Sequence, residues 1–390
     1  MNFDFSEEQQ MVRDSIARFV QDDYDWDTRK AIVASDHGIS RDNWQLFAEL
    51  GWLSIPFAEE HGGFGGNIVD LSVVMEELGK GLVVEPYFPT VVLFGGLIKR
   101  AGSEAQQAEW LPRIIGGELL GAFAYVERQS RFALNDCQTT ATKSGDGYVL
   151  NGEKVVVFNG EQADHLVVMA RTAGDQSDID GLALFIVDAA AAGVDKMSYA
   201  MMDGQRVANI TFKDVSVSAD ALLGEEGGAL AVVDALTDEA IIALAAEAVG
   251  IMGVLNAKTL EYTKTREQFG VAIGSYQALQ HRMVDTMMAY EQSKSLLFKA
   301  LCEYKQDPAM AAETVHALKV LIDRNGKHVF GEAIQMHGGM GMTNELALGY
   351  YVKRLMIINT LFGDADHQQR RFIELVNAPA GEGSARSKAA

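Results

Sequence analysis

The chain has 390 residues, 48% of them hydrophobic, and carries a formal net charge of −21. That length and apolar content are ample for a large core and for two or three structural domains. A polyanion of this size is a poor general binder of nucleic acid or of anionic membranes, although a phosphate-bearing ligand would still need local basic groups.

Taken in chain order, Ser6 followed by Glu8-Gln9 opens a helix in the manner of a capping box, and Met11, Ile16, Phe19 and Val20 give that helix an apolar face. Helical patterns continue over 44–50, 68–78, 91–101 and 105–116, and Gly62-Gly63 and Gly65-Gly66 punctuate a loop among them. Residues 1–120 therefore read as an α-helical domain. Near Gly121 the pattern changes. Short runs rich in β-branched or aromatic residues occur at 139–142, 148–150, 155–158, 166–170, 182–187 and 210–212. Asn151-Gly152 between two of them predicts a hairpin turn, because a tight turn needs positive φ there. Residues 121–223 are expected to form an antiparallel β domain.

From 224 to 376 the helical pattern returns. The apolar stretch 229–255 is interrupted by Asp234, Asp238, Glu239 and Glu247, so it predicts a buried or amphipathic helix and no membrane span. Ala243, Ala246, Gly250 and Gly253 stand at near-helical spacing and suit closely packed helices. Residues 377–390 are Gly/Ser/Ala/Lys-rich, and a disordered tail is expected there. The fold class is α+β: an N-terminal helical domain, a central β domain and a C-terminal helical bundle. Only six prolines occur, which permits long helices. The acidic N-terminus has no basic segment and does not resemble a signal peptide. Cys137 and Cys302 form no C-x-x-C and suggest no zinc site. Two reduced thiols in a cytoplasmic protein, and no metal, are the expectation.

Two motifs carry chemistry. They are Thr265-Arg266-Glu267-Gln268-Phe269-Gly270 and Gln335-Met336-His337-Gly338-Gly339-Met340-Gly341-Met342. Together they offer a cation, an aromatic ring, an amide and several glycines. Arg266 suits a pyrophosphate, and the glycines let backbone approach a ligand closely. For Arg266 the plainer reading is a surface salt bridge with Glu261 or Glu267.

With Ile273-Gly274-Ser275-Tyr276-Gln277-Ala278-Leu279-Gln280-His281 and the α–β–α order, these motifs make the whole chain resemble the acyl-CoA dehydrogenase family. The resemblance implies an FAD cofactor, an acyl-CoA substrate desaturated at its α and β carbons, and a setting in fatty-acid β-oxidation. It also implies flavins shared between subunits. Arg266, Phe269, Gln277, Gln335, Gly338 and Gly339 fall at the positions that a subunit lends to its neighbour's dinucleotide. The positions that hold the redox ring depart from the family pattern. Val126 stands for a threonine donor, Val156 for the tryptophan that covers the ring, and Phe158 for a second threonine, whereas Glu127, Lys154 and Asn159 are kept. Phe362 occupies the usual place of the catalytic glutamate. A second family position for the base aligns with Ala240, which leaves the adjacent Glu239 as the candidate, beside Asp238, Glu247 and Asp364.

The pattern is most similar to small subunits of two-component bacterial enzymes such as pimeloyl-CoA dehydrogenase. It implies a degenerate subunit that completes the flavin site of a homologous large subunit in a heterotetramer. Two other readings stand beside it. One is a self-sufficient homo-oligomer with an atypical base; the other is a relative that binds acyl-CoA without redox chemistry.

Overall fold

A computed structural model describes residues 5–377; the tail expected to be disordered lies, from 378 onward, outside the described residues. The N-terminal part has helices α1 (Glu7–Asp22), α2 (Trp26–Ala34), α3 (Arg41–Glu49) and α4 (Ile68–Gly81). A segment wound in wide π-type turns, Phe88–Gly95, leads into α5 (Gly96–Ala101) and then α6 (Glu104–Ile115). Strands β1 (Gly121–Ala124), β2 (Thr140–Ser144), β3 (Gly147–Phe158), β4 (His165–Arg171), β5 (Leu182–Asp188), β6 (Val194–Ala200), β7 (Arg206–Ser218) and β8 (Leu222–Leu223) follow. The rest comprises α7 (Ala229–Thr265), the two-residue strands β9 (Glu267–Gln268) and β10 (Val271–Ala272), and helices α8 (Gln277–Gln306), α9 (Pro308–His337), α10 (Leu348–Thr360) and α11 (Ala365–Asn377). Helical regions thus flank a central sheet, as the α+β class requires.

The chain divides into two compact units. The first comprises Met1–Ala31, Ile68–Val83 and Ile241–Ala390; the second comprises Ile32–Asn67 and Val84–Ala240.

In the second unit the strand order is β6-β7-β3-β2-β4-β5-β8, with β1 beside β4. The sheet is mixed where a purely antiparallel one was expected. β1 runs parallel to β4, and β2 meets β4 in parallel at one residue pair. Its apolar face buries Leu150, Val157, Leu166, Val168, Phe185, Ile210 and Phe212 in one core. The expected turn at Asn151-Gly152 is a bulge. β3 runs straight through it with a register shift between Leu150 and Gly152 against β7. Gly152 has φ +149°, and a Cβ there would stand 2.5 Å from Thr139 Oγ1. Asn151 Nδ2 donates to Asp214 Oδ1 at 3.1 Å, and Asp214 N–H donates to Asn151 Oδ1 at 2.9 Å, which pins the bulge. The freedom that glycine gives a turn serves a bulge equally well. The true turn joins Ser144 to Gly147, through Gly145 at φ +59°.

In the first unit α1 begins with the expected capping box between Ser6 and Gln9. A Cβ on Gly250 would stand 2.2 Å from Glu76 O, and one on Gly79 would stand 2.6 Å from Glu247 O. α4 and α7 therefore meet backbone to backbone, and Gly250 is small for that reason. α7 is long and apolar enough to cross a membrane, yet its most apolar window is largely buried within the protein.

Candidate functional site

The Thr265–Gly270 and Gln335–Met342 motifs lie at helix ends in the first unit. Beyond Thr265 the chain turns back in the β9–β10 hairpin, which pairs Gln268 with Val271. The two residues between them, Phe269 and Gly270, both have positive φ, +56° and +84°. This geometry favours glycine and is strained for phenylalanine. The ring of Phe269 is 94% exposed at the hairpin tip. Ile273 N–H donates to Arg266 O at 2.8 Å, which fixes the hairpin against the end of α7. Arg266 is exposed and forms no ion pair among the described residues, while Glu261 pairs with Lys264 at 2.7 Å. The surface salt bridge is therefore not formed.

The second motif ends α9. Gly338 takes φ +58° and ψ −139°, a region open essentially to glycine alone, and its N–H donates to Gln335 O. A Cβ on Gly338 or Gly339 would meet nothing within 4 Å. Tyr262 joins the two motifs. Its ring stacks on His337 at 4.3 Å, and its hydroxyl donates to His337 O at 3.4 Å. Burial pushes the His337 imidazole below its ordinary range, with a backbone hydrogen bond to Ala333 opposing. The neutral ring stacks without carrying charge. Tyr276 ties in the start of α8, where Gln277 stands exposed, through a hydroxyl contact to Gln268 O at 3.5 Å. Arg266, Phe269, Gln277, Gln335, Gly338 and Gly339 are all on the protein surface, and Val284, Met287, Met288 and Met342 of the same unit are also exposed. Tyr262 went unnoticed in the sequence, although it stands one helical turn before Arg266.

The family's ring-side positions lie in the second unit. Glu127 accepts from Lys154 Nζ at 2.7 Å, from the backbone of Thr139 at 3.0 Å and of Gln138 at 2.7 Å, and from Gln129 Nε2 at 2.8 Å. Glu127 and Lys154 are buried. Burial alone would raise the Glu127 carboxyl, but the charge and hydrogen bond of Lys154, with its other donors, outweigh burial and hold it at about 2. These two residues serve the fold. Asn159, at φ +59°, donates to Gly121 O at 3.2 Å and serves it likewise. Val156 is β-branched and sits at φ +53°, where the register of β3 shifts, and its N–H is taken by Asn209 Oδ1 at 3.1 Å. Val126 O accepts from Val155 N–H at 2.8 Å. The side chains of Val126, Val156 and Phe158 have no hydrogen-bonding group.

Each candidate base has a structural partner. Glu239, buried in the second unit, is ion-paired to Arg100, a residue the sequence reading missed. Glu247, in the first unit, forms a buried two-point pair with Arg354 at 2.6 and 2.9 Å. Asp364 Oδ1 caps α11 through His367 N–H at 2.9 Å. Phe362 stands just before it at φ +54°. Among the described residues no three His, Cys, Asp or Glu side chains are grouped to hold a metal.

Comparison with known proteins places this geometry. Family models described as acyl-CoA dehydrogenase N-terminal, middle and C-terminal domains match residues 6–118, 122–215 and 226–374. A probable acyl-CoA dehydrogenase of Bacillus subtilis, YngJ, is 30% identical over 91% of this chain and 93% of its own. The FAD complex of PigA superposes with a TM-score of 0.89 at 26% identity, covering 96% of this chain and 99% of the other. A chain of the ChsE4–ChsE5 complex of Mycobacterium tuberculosis does so at 0.88 and 25%, covering 97% and 100%. This chain belongs to the acyl-CoA dehydrogenase family.

Proposed function

We propose that this chain is the degenerate small subunit of an FAD-dependent acyl-CoA dehydrogenase, and that it completes the flavin site of a homologous large subunit in the cytoplasm. The observation that carries this reading is the state of the donated motif. Phe269 projects at 94% exposure beside an unpaired Arg266 and glycines with open space. An exposed aromatic on a strained turn is costly in a chain that acts alone and useful in one that inserts into a partner. The solved ChsE4–ChsE5 relative is a complex of two differently named chains, which agrees with such an arrangement.

The two halves of the family site fit FAD unequally. On the dinucleotide side the donor set suits the group: Arg266 for the pyrophosphate charge, Gln277 and Gln335 for amide hydrogen bonds, Phe269 for aromatic cover, and Gly338 and Gly339 for close backbone approach. FAD, when bound, supplies the hydride acceptor for α,β-desaturation of an acyl-CoA thioester. On the ring side Val126, Val156 and Phe158 offer no side-chain donors, and Glu127 and Lys154 are committed to each other. A self-sufficient enzyme using Glu239 as base would first have to break the Arg100 pair. The reading carries the domain partition 1–120, 121–223 and 224–376.

Arg266→Ala tests the donated half. Losing one charge-assisted phosphate contact of about 1.5–3 kcal/mol should weaken flavin retention by the assembled complex roughly ten- to a hundredfold. Unchanged flavin content, measured by absorbance after dialysis, would mean that Arg266 does not face the cofactor.

A further inference from the structure

The motifs Thr265–Gly270 and Gln335–Met342 sit at the ends of different helices, and each is braced first by its own helix. Arg266 N–H donates to Tyr262 O at 2.8 Å. Thr265 Oγ1 donates to the same carbonyl at 3.2 Å and to Glu261 O at 3.0 Å. The backbone at Arg266 therefore continues the winding of α7 before the β9–β10 hairpin folds back. In the other motif Gly338 N–H donates to Gln335 O and Ile334 O, and His337 Nδ1 meets Ala333 O at 2.8 Å. A Cβ on Gly341 would stand 3.1 Å from His337 Cβ and from Ile334 O, so the chain after Gly338 folds back on the end of α9.

None of these contacts sets one motif relative to the other. Among the described residues, the hydrogen bond and the ring contact that cross between them both belong to Tyr262. Its ring stacks on the buried His337 imidazole, with centroids 4.3 Å apart and planes inclined by 24°. Its hydroxyl donates to His337 O at 3.4 Å. That carbonyl ends α9, where no N–H of the helix can reach it. It also belongs to the planar peptide unit whose N–H is that of Gly338. Tyr262 holds the oxygen side of this unit, and Gln335 O and Ile334 O hold its N–H side. The same tyrosine, through its own carbonyl, holds the N–H of Arg266. One residue thus touches both the cation's backbone and the peptide that leads into the glycine pair.

We propose that Tyr262 is a positioning residue of the shared flavin site, fixing the separation of Arg266 from the Gly338–Gly339 backbone before a dinucleotide arrives. The role presupposes that these motifs form the donated half of a partner's FAD site, as proposed above. A pyrophosphate gains from a cation and from a close backbone together only when their spacing is already correct; otherwise binding must also order the hairpin. Arg266 has no ion pair among the described residues, and Phe269 is 94% exposed, so neither side chain steadies the hairpin within the chain. Its rigidity comes from its base, at Tyr262 and at the Tyr276 hydroxyl on Gln268 O.

The test is a double-mutant cycle of Tyr262→Leu with Arg266→Ala, read as the FAD affinity of the assembly that the full-length chain forms. It is run beside NMR of the His337 imidazole protons in the full-length chain. The wild-type signal should be shifted upfield by the Tyr262 ring, return to its ordinary position in Y262L, and stay shifted in Tyr262→Phe. Y262L should weaken FAD binding by roughly three- to tenfold. In the R266A background the loss should be much smaller, because Tyr262 acts by placing Arg266. Y262F, which keeps the stack, should recover most of the affinity. Equal losses in both backgrounds would mark general destabilisation and overturn the proposal. So would an unshifted wild-type His337 signal, or full FAD affinity in Y262L where R266A has lost it. If R266A leaves the affinity unchanged, or no flavin-loaded assembly forms, the donated-half reading fails and the positioning role goes with it. If Y262L does not fold, His337→Leu removes the same stack from the other side and carries the cycle, with the same outcomes.

Discussion

Replacing Glu247 with alanine is expected to lower the unfolding free energy by about 3–5 kcal/mol, because it leaves Arg354 as an uncompensated buried charge. The pair is bidentate, with both partners buried and contacts of 2.6 and 2.9 Å. A loss of that size is a large part of the roughly 5–15 kcal/mol that holds a typical domain together. Glu247 also packs where Gly79 lets α4 approach α7, so truncation removes packing as well as charge. Denaturant unfolding measures the effect. A loss under about 1 kcal/mol, the range of solvent-exposed pairs, would show that water reaches Arg354. Any fall in flavin content of the assembled complex should follow the fraction unfolded and not precede it.

Lys154→Met is the second large effect, and its size should depend on pH. At pH 7 the change strands the Glu127 carboxylate in the sheet core, at a cost of about 3–5 kcal/mol. The folded wild type holds Glu127 at about 2, below its ordinary 4.5. A depressed carboxyl contributes stability that is fully present above the unfolded value and is lost as pH falls through the folded one. The wild type should therefore lose this contribution between about pH 4.5 and pH 2. In the variant burial acts on Glu127 without the lysine, so protonation relieves it. The gap between the two proteins should be widest near pH 7 and shrink toward pH 3. An equal gap at both pH values would show that lost packing, not charge, sets the cost.

Both predictions concern residues that the sequence could present as chemistry. Glu127 stood in a stretch set against a family motif, and Glu247 and Glu239 lay on the helix where the resemblance put a candidate base. Their occupations were not legible because the partners are far away in the chain. Arg100 is 139 residues from Glu239, and Arg354 is 107 from Glu247. No periodicity or spacing rule connects such positions. The alternation of short β-branched runs did reveal most of the sheet. It missed the short β1 and β8, and it missed β6, which buries none of its residues and so carries no apolar period. Asn151-Gly152 misled because positive φ marks a bulge as readily as a turn, and only the Asp214 contacts distinguish the two. The Thr265–Gly270 and Gln335–Met342 motifs were readable because what marks them is residue type: a cation, an amide and glycines without Cβ atoms. The exposure of Phe269 was not readable, since an aromatic in a sequence is expected inside.

The central claim is that this chain lends half a flavin site and lacks a working ring pocket of its own. The most direct measurement is the flavin-to-chain ratio of the protein purified alone, combined with single-turnover reduction by an acyl-CoA thioester. A ratio well below one, with no bleaching by the thioester and with flavin retained only in a heteromer that holds fewer flavins than chains, is the expected result. One FAD per chain and rapid bleaching in the isolated protein would contradict it.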